Sequence, residues 1–196
     1  MKSLPKRNKL FYSISLLILC LLSVFFIFVY PNTSSPKTDN VLKNLAKEDN
    51  FVFENNQWFT TKEEVIENND LDIADLKNNS DDILVTKTYL SNELGVDVHK
   101  SFYFSSNILV SAGYIIPISD VSELENLRDD LLQLFTQTFG EPRNTVSDNL
   151  IQDIFWDKQD NNRLTLSTIE HTEKEAEFPY SLHIIVHAPK DIKNNN

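Results

Sequence analysis

The longest apolar run of the chain lies near its N-terminus and predicts a membrane-spanning helix over residues 10–30. The run is 21 residues long and contains no charged residue. At about 1.5 Å of rise per residue, such a helix is about 31 Å long, which matches the hydrocarbon core of a bilayer. Most of its residues are Leu, Ile, Phe or Val, so we expect insertion to be strongly favoured.

The same run predicts an anchor that is retained rather than removed. A secretory signal has an apolar core of about 7 to 15 residues and ends in small residues, whereas this run is longer and ends in the bulky sequence VYP (29–31). Cys20 follows LIL (17–19) as in a lipoprotein signal, but Leu19 is not small and the apolar run continues for ten residues after the cysteine. A cleaved signal and a lipidated cysteine are the alternatives.

Charges beside the run predict its orientation. Four basic residues lie within residues 1–9, and only Lys37 lies in the first dozen residues after the run. Basic flanks stay on the cytoplasmic side. We therefore expect a single-pass protein of the cell membrane, with residues 1–9 as a cytoplasmic basic tail and the remainder of the chain outside the cell.

The pattern beyond the anchor predicts one extracytoplasmic α+β domain over residues 51–190. Residues 31–50 begin with the polar, proline-containing stretch PNTSSPKTDN and predict a linker, which a short amphipathic piece extends. Residues 191–196 are asparagine-rich and predict a disordered tail.

Two helices are predicted within this domain. Thr61 and Glu64 have the spacing of a capping box, which predicts a short helix over residues 62–68. Asp120 begins a longer helix that ends at Gly140. The longer helix has one apolar stripe at helical spacing, formed by Leu124, Leu127, Leu131, Leu134 and Phe135.

Alternating apolar and polar positions predict the strands. The main candidates are residues 83–90, 97–105, 108–117, 154–158, 163–170 and 180–188. The order of helix, three strands, helix and three strands predicts a tandem αβββ arrangement, with both helices packed on one face of an antiparallel sheet. A single curved sheet crossed by one helix is the alternative.

Net charge restricts the classes of partner that the domain could bind, and cysteine content shows whether it could form a disulfide. Residues 31–196 carry 29 acidic against 14 basic residues, a net charge of −15. Such a surface repels nucleic acid and anionic lipid, whereas basic proteins, peptides and metal cations remain compatible with it. The only cysteine lies in the anchor, so the domain has no disulfide. Its abundance of Asn, Lys and Ile is typical of an AT-rich Gram-positive bacterium.

The sequence contains no motif for nucleotide binding or nucleophilic catalysis. Its three glycines, Gly95, Gly113 and Gly140, cannot build a phosphate-binding loop. No G-x-S-x-G turn presents a serine, and no cysteine lies outside the anchor. We therefore predict no nucleotide cofactor and no catalytic residue.

Histidines and aspartates were candidate metal ligands. His183 and His187 share one face of a predicted strand but lie about 13 Å apart, which is too far for one ion, although His99 or His171 could approach either across a sheet. We predict ordinary strand histidines on a solvated face. The aspartates of DLDIAD, Asp70, Asp72 and Asp75, lack the glycine and the late glutamate of a calcium loop, so we predict a solvated loop or helix-start acids.

Carboxylates and aromatics offer less specific candidates. Glu170 with Glu173 and Glu175, or Asp157 with Asp160, could form the pair that glycoside cleavage requires, but nothing selects them from 29 acids. We predict that the aromatic residues fill the core, with stacking on a sugar or peptide as the alternative; they are Trp58, Trp156, Tyr103, Tyr114 and Phe102.

Four short motifs occur in an order that resembles a known group of proteins. They are WFTTKEEV (58–65), YFSSNILVSAGY (103–114), FGEP (139–142) and IFW (154–156). The chain resembles uncharacterised extracytoplasmic domains, anchored or lipidated, of low-GC Gram-positive bacteria, with a W-G-x-S-x-E-E-V start and a Y-G-x-P helix end. Phe59 stands where that pattern usually has glycine. In plan the chain is also similar to the tandem αβ repeats of β-lactamase-inhibitory proteins, a likeness that transfers no activity.

These observations favour a non-catalytic function. We expect a membrane-anchored module that binds a protein or peptide at the cell surface, without catalytic residues, cofactor or metal. A cell-envelope hydrolase that uses carboxylates is the alternative, and a purely structural domain is a third hypothesis.

Overall fold

The computed structural model describes residues 36–86, 98–147, 151–172 and 177–190. The predicted basic tail, the anchor, the start of the linker and the C-terminal tail lie outside the described residues. Among the residues that are described, no helix combines the length and the apolar character needed to cross a membrane. The anchor over residues 10–30 therefore stays a prediction.

The described residues form three α-helices and ten strands. The helices are α1 (Pro36–Leu45), α2 (Lys62–Asn68) and α3 (Val121–Phe139). The strands are β1 (Ala46–Lys47), β2 (Asn50–Phe51), β3 (Leu76–Asn79), β4 (Ile83–Thr86), β5 (His99–Ser105), β6 (Ile108–Ile118), β7 (Asn144–Ser147), β8 (Ile151–Asp157), β9 (Arg163–Glu170) and β10 (Tyr180–His187). This composition agrees with the predicted α+β class.

Eight of the strands form one antiparallel sheet. Their order is β3-β4-β5-β6-β10-β9-β8-β7, and β1 pairs separately with β2. Strands β6 and β10 meet in the middle, where Tyr180 pairs with Ile118 and His187 pairs with Ser111 at the two ends of the ladder. Each half of the sheet, which includes one strand of this central pair, is thus a four-stranded meander preceded by a helix.

The prediction of three strands in each half is wrong, because β3 and β7 were missed. Both are four-residue edge strands with polar sequences, LKNN and NTVS. In β3 only Leu76 is buried. An edge strand that buries so few side chains shows no apolar alternation in its sequence. Its strand conformation therefore depends on hydrogen bonding to the neighbouring strand rather than on its own residue pattern.

Helix α1 lies within the predicted linker, where the sequence suggested a short amphipathic piece. Val41 and Leu45 are fully buried in the core. The Asn44 side-chain amide donates a hydrogen bond to the Tyr114 hydroxyl at 3.1 Å. Three apolar residues in ten give little helical periodicity, so tertiary burial stabilises this helix. The folded domain therefore begins before residue 51.

The two predicted helices are confirmed together with their ends. In the capping box of α2, the Thr61 hydroxyl accepts from the Glu64 N–H at 3.3 Å and the Thr61 N–H donates to the Glu64 carboxylate at 2.8 Å. The Asp120 carboxylate accepts from the first free N–H groups of α3. Gly140, at φ +87°, ends α3.

One face of the sheet packs against all three helices. The buried residues of the helices belong to the same core cluster as Tyr114, Leu166 and Ile184 of the central strands. The predicted stripe of α3 is confirmed: Leu124, Leu131 and Phe135 are buried, and Leu127 and Leu134 pack against the core.

Four of the five aromatic residues predicted in the core are found there. Phe102, Tyr114 and Trp156 are buried, and Trp58 packs against them partly exposed. Tyr103 lies on the opposite face of the sheet, because it alternates with Phe102 along β5.

Candidate functional site

The second face of the sheet points away from the helices and is built from polar residues. Strand β10 alternates between the core residues Leu182, Ile184 and Val186 and outward residues that include His183 and His187. Every buried side chain that the described helices contribute belongs to the core cluster, so none of the described helices packs on the second face.

Cross-strand pairing defines this second face as three rows of residues, which we name the histidine face. The first row is His99, Ile115, His183, Ser167 and Asp153. The second is Ser101, Gly113, Ile185, Thr165 and Phe155, and the third is Tyr103, Ser111, His187, Arg163 and Asp157. Its middle therefore consists largely of small hydroxyl residues and imidazoles.

Ser181 joins two histidines at one end of the histidine face. Its Oγ lies 3.0 Å from Nε2 of His171 and 2.9 Å from Nε2 of His183. When both imidazoles are neutral, the Ser181 hydroxyl donates its proton to one imidazole nitrogen and accepts a hydrogen bond from the N–H of the other imidazole. Ser181 is buried, whereas His171 is exposed. The three side chains form a relay from solvent to the half-buried His183.

A second group holds His187 in place. Its Nδ1 lies 2.9 Å from Oγ of Ser111, and its Nε2 lies 3.2 Å from Oγ1 of Thr165. Within the described residues, no carboxylate is hydrogen-bonded to His183 or His187. A hydroxyl partner does not stabilise an imidazolium as a carboxylate does. This geometry favours rigid positioning of the rings over proton abstraction.

The rim of the histidine face carries an ion-paired carboxylate. The Arg163 guanidinium donates to both oxygens of Asp157, at 2.6 and 3.3 Å, and Arg143 lies 3.5 Å from the same carboxylate. Arg163 also lies 4.7 Å from the ring centroid of Phe155. Asp157 is thus engaged by two cations.

Burial keeps the central histidines neutral. The pKa of His183 is lowered from 6.5 to about 4, mainly by burial and in part by the neighbouring His171, while Asp153 opposes the shift. Burial also lowers the pKa of His187, with a further contribution from Arg163. The predicted solvated histidines are therefore less solvated than expected, and His99 is buried as well.

The low pKa of His183 predicts acid destabilisation of the fold. The unfolded chain binds this proton at a higher pH than the folded chain, so the stability is complete above about pH 6.5 and is lost as the pH falls towards 4. We expect protonation of His183 to lower the free energy of unfolding by about 3 kcal/mol between pH 7 and 4. Urea unfolding of the full-length chain in detergent micelles between pH 7 and 4 measures it.

The control for this prediction is His183→Gln, which keeps a hydrogen-bonding group beside Ser181 but does not titrate. The variant should lose distinctly less stability than the native chain over the same pH range, since the carboxylates contribute equally to both. Equal losses in the two proteins would show that His183 is not responsible.

The candidate metal ligands do not assemble. Within the described residues, no group of three or more His, Cys, Asp or Glu side chains could hold an ion. The Asp72 carboxylate accepts from the Ala74 N–H at 2.8 Å and begins a short 3-10 helix, Ile73–Asp75, as predicted for a helix-start acid. Asp70 and Asp75 line a small cavity of about 80 Å³ beside it.

The candidate carboxylate pairs are not brought together as a site. Glu170 is exposed, and Glu173 and Glu175 lie outside the described residues. Asp157 is ion-paired with Arg163, and Asp160 occupies a tight turn at φ +56°.

A polar groove that the sequence did not predict lies beside α2. Its volume is about 770 Å³. Tyr114 and Lys100 meet at its edge, where the Tyr114 hydroxyl donates to Glu54 at 3.0 Å and Lys100 Nζ lies 2.7 Å from the same carboxylate. The groove is lined by Glu54, Asn55, Asn56, Gln57, Thr60, Glu64, Glu67, Asn68, Asn69, Asp70 and Lys100. The clustering of Asn and Gln between residues 55 and 69 was the available signal.

Comparison with protein-family models, with curated proteins and with solved structures found no match to this chain. The functional assignment therefore depends on the geometry of the histidine face and of the polar groove, together with the apolar run at the N-terminus.

Proposed function

We propose that this chain is a membrane-anchored, extracytoplasmic binding module without catalytic function, and that the histidine face receives a protein or peptide partner. The apolar run over residues 10–30 and the basic residues before it support the anchor and its orientation. The anchor would hold the folded domain at the outer surface of a bacterial cell membrane.

The observation that carries the proposal is a sheet face of hydrogen-bonded polar residues on which none of the described helices packs. The described helices all pack on the opposite side, although the histidine face spans the central strands of an eight-stranded sheet. Hydrogen bonds fix His183 and His187, so the face needs little ordering when a partner binds. Half-buried apolar groups such as Ile115 and Tyr103 supply contact area.

Site-specific cross-linking tests this assignment. A photoreactive amino acid at Ile115 should capture a discrete partner in the native membranes, whereas the same amino acid at Gln133, exposed on α3, should not. Tyr103→Glu should abolish capture at position 115, because it buries a charge in the interface. Gln133→Glu adds the same charge elsewhere and should leave capture unchanged.

Equal capture from positions 115 and 133 would contradict the proposal, as would capture that survives Tyr103→Glu in a folded protein. Thermal unfolding of both variants separates loss of binding from loss of fold. A partner held by charge should also dissociate as salt is raised, because the domain is strongly acidic.

We also propose that the two halves are a tandem structural repeat. Each half consists of a helix and a four-stranded meander, and the last strands of the two meanders pair at the centre. This plan supports the similarity to β-lactamase-inhibitory proteins and the suggested relationship to extracytoplasmic Gram-positive domains. A binding surface that spans both halves is consistent with such a plan.

A carboxylate-dependent envelope hydrolase remains the second candidate, because Glu64, Glu67 and Asp70 line the polar groove. Release of soluble fragments from purified cell wall by the full-length chain, and its loss in Glu67→Gln, would favour this candidate. Under the leading proposal, the native chain releases no more material than Glu67→Gln.

A further inference from the structure

We propose that the polar groove binds a neutral oligosaccharide through side-chain amides, with Phe59 as a stacking surface. This site is separate from the histidine face and does not depend on the protein partner. Small-ligand sites are concavities of about 300–1,000 Å³ with a few convergent polar groups. The groove, at about 770 Å³, lies within this range.

The amides provide the recognition chemistry. Asn55, Gln57 and Asn68 are exposed in the groove, and their side chains form no hydrogen bond within the described part of the chain. Asn56 and Asn69 instead bond to each other, at 2.7 and 3.2 Å, and form a fixed floor. An amide both donates and accepts hydrogen bonds, as does a sugar hydroxyl.

The carboxylates favour a sugar over a basic peptide. Glu54 is neutralised by Lys100 at 2.7 Å, and the Glu64 carboxylate is occupied by the capping box of α2. Two lining acids remain, against three available amides. The cationic side chains of a basic peptide need acceptors alone, whereas a polyhydroxylated ligand needs donors and acceptors in close succession, and amides supply both.

Phe59 gives a second, independent indication. It is not itself a lining residue, but it lies in the chain between Gln57 and Thr60, which both line the groove, and it is 39% exposed. Its φ of +67° is in the region that glycine adopts most readily. Backbone preference does not account for an aromatic residue here, and the apolar face of a sugar ring could stack on its exposed part.

Isothermal titration calorimetry of the full-length chain tests the proposal, in a zwitterionic detergent that has no sugar headgroup. The probe is the β-1,4-linked trisaccharide of N-acetylglucosamine, whose acetamido groups complement the lining amides. We expect a dissociation constant below about 1 mM. The double substitution Asn55→Ala with Asn68→Ala should weaken binding about tenfold, because it removes two hydrogen-bonding groups. Asn126→Ala, exposed on α3, is the matched control and should bind as the native chain does.

Phe59→Gly separates binding from folding. Glycine tolerates the positive φ, so the variant should still fold, and it should weaken trisaccharide binding at least about threefold. A merely structural role for Phe59 would leave the affinity unchanged.

Three results would overturn the proposal. They are no detectable binding of the trisaccharide, native affinity in the Asn55/Asn68 double variant, or tighter binding of tri-lysine than of the trisaccharide at the groove, which would identify a cation site instead. Cross-linking at position 115 is unaffected by any of these results, so the protein-binding proposal is tested separately.

Discussion

Gly113→Ala is expected to destabilise the folded domain by about 3 kcal/mol. Gly113 lies on β6 in the central pair of strands, opposite Ile185 of β10. A Cβ atom at this position would lie 2.0 Å from the carbonyl oxygen of Ile184 and 2.8 Å from the Cα of Ile185. These are backbone atoms, so relief requires β6 and β10 to move apart at the junction between the two meanders.

Gly140→Ala is the matched control for this prediction. A Cβ at Gly140 meets no atom within 4 Å, but its φ of +87° is unfavourable for alanine, so the expected loss is about 1 kcal/mol. Urea unfolding of both full-length variants in detergent measures the difference. A loss at Gly113 no larger than the loss at Gly140 would show that the two central strands do not approach as closely as described.

Asn162→Asp should destabilise the domain by about 3 kcal/mol at pH 7. Asn162 is fully buried, and its amide donates to the carbonyl oxygens of Phe51, at 3.1 Å, and of His187, at 2.9 Å, while its side-chain oxygen accepts from the Phe51 N–H. The aspartate is nearly isosteric but replaces the donor by an acceptor, so a carboxylate would face two carbonyl oxygens.

The pH dependence of Asn162→Asp provides a signature. Burial against carbonyl oxygens raises the pKa of the new carboxyl in the folded state, so the part of the penalty that comes from ionisation is complete well above that pKa and disappears as the pH falls below the unfolded value of about 3.9. The stability gap to the native chain should therefore narrow on acidification. Comparing the two proteins at each pH cancels the effect of His183.

Asn161→Asp is the control for this chemical change. Asn161 is the preceding residue, is exposed, and has a φ of +58° that aspartate tolerates. It should change the free energy of unfolding by less than about 0.5 kcal/mol. Limited proteolysis gives a second readout, because loss of the contacts to Phe51 should expose the segment around β1 and β2. Equal stability of the two variants at pH 7 would contradict the role assigned to Asn162.

Much of the local structure could be predicted because each element carries its own signal. The capping residue Asp120, the apolar stripe and the terminal Gly140 together specify α3 without reference to the sheet. Likewise, the alternation along β5 predicts which residues face the core. The predicted strands 97–105 and 108–117 leave only two residues between them, and in the structure Ser106 and Asn107 form a tight hairpin turn with both residues at positive φ.

The candidate sites could be predicted only in part. The spacing of His183 and His187 predicts that they share a face, and the structure confirms it. Their burial and the bridge from Ser181 to His171 depend on the pairing of β10 with β9, which spacing does not reveal. The polar groove was missed because its lining residues are individually typical of surface loops and helix faces.

The sequence by itself determined the α+β class, the predicted apolar anchor, the acidic charge of the domain and the two capped helices. These features depend on residue type and on periodicity within a short segment. Only the tertiary structure decided the roles of α1, β3 and β7, since α1 is stabilised by burial against distant parts of the chain and the two edge strands are defined by their pairing with β4 and β8. It also decided which polar residues share the histidine face and the groove, because strand register, rather than local pattern, determines which side chains become neighbours.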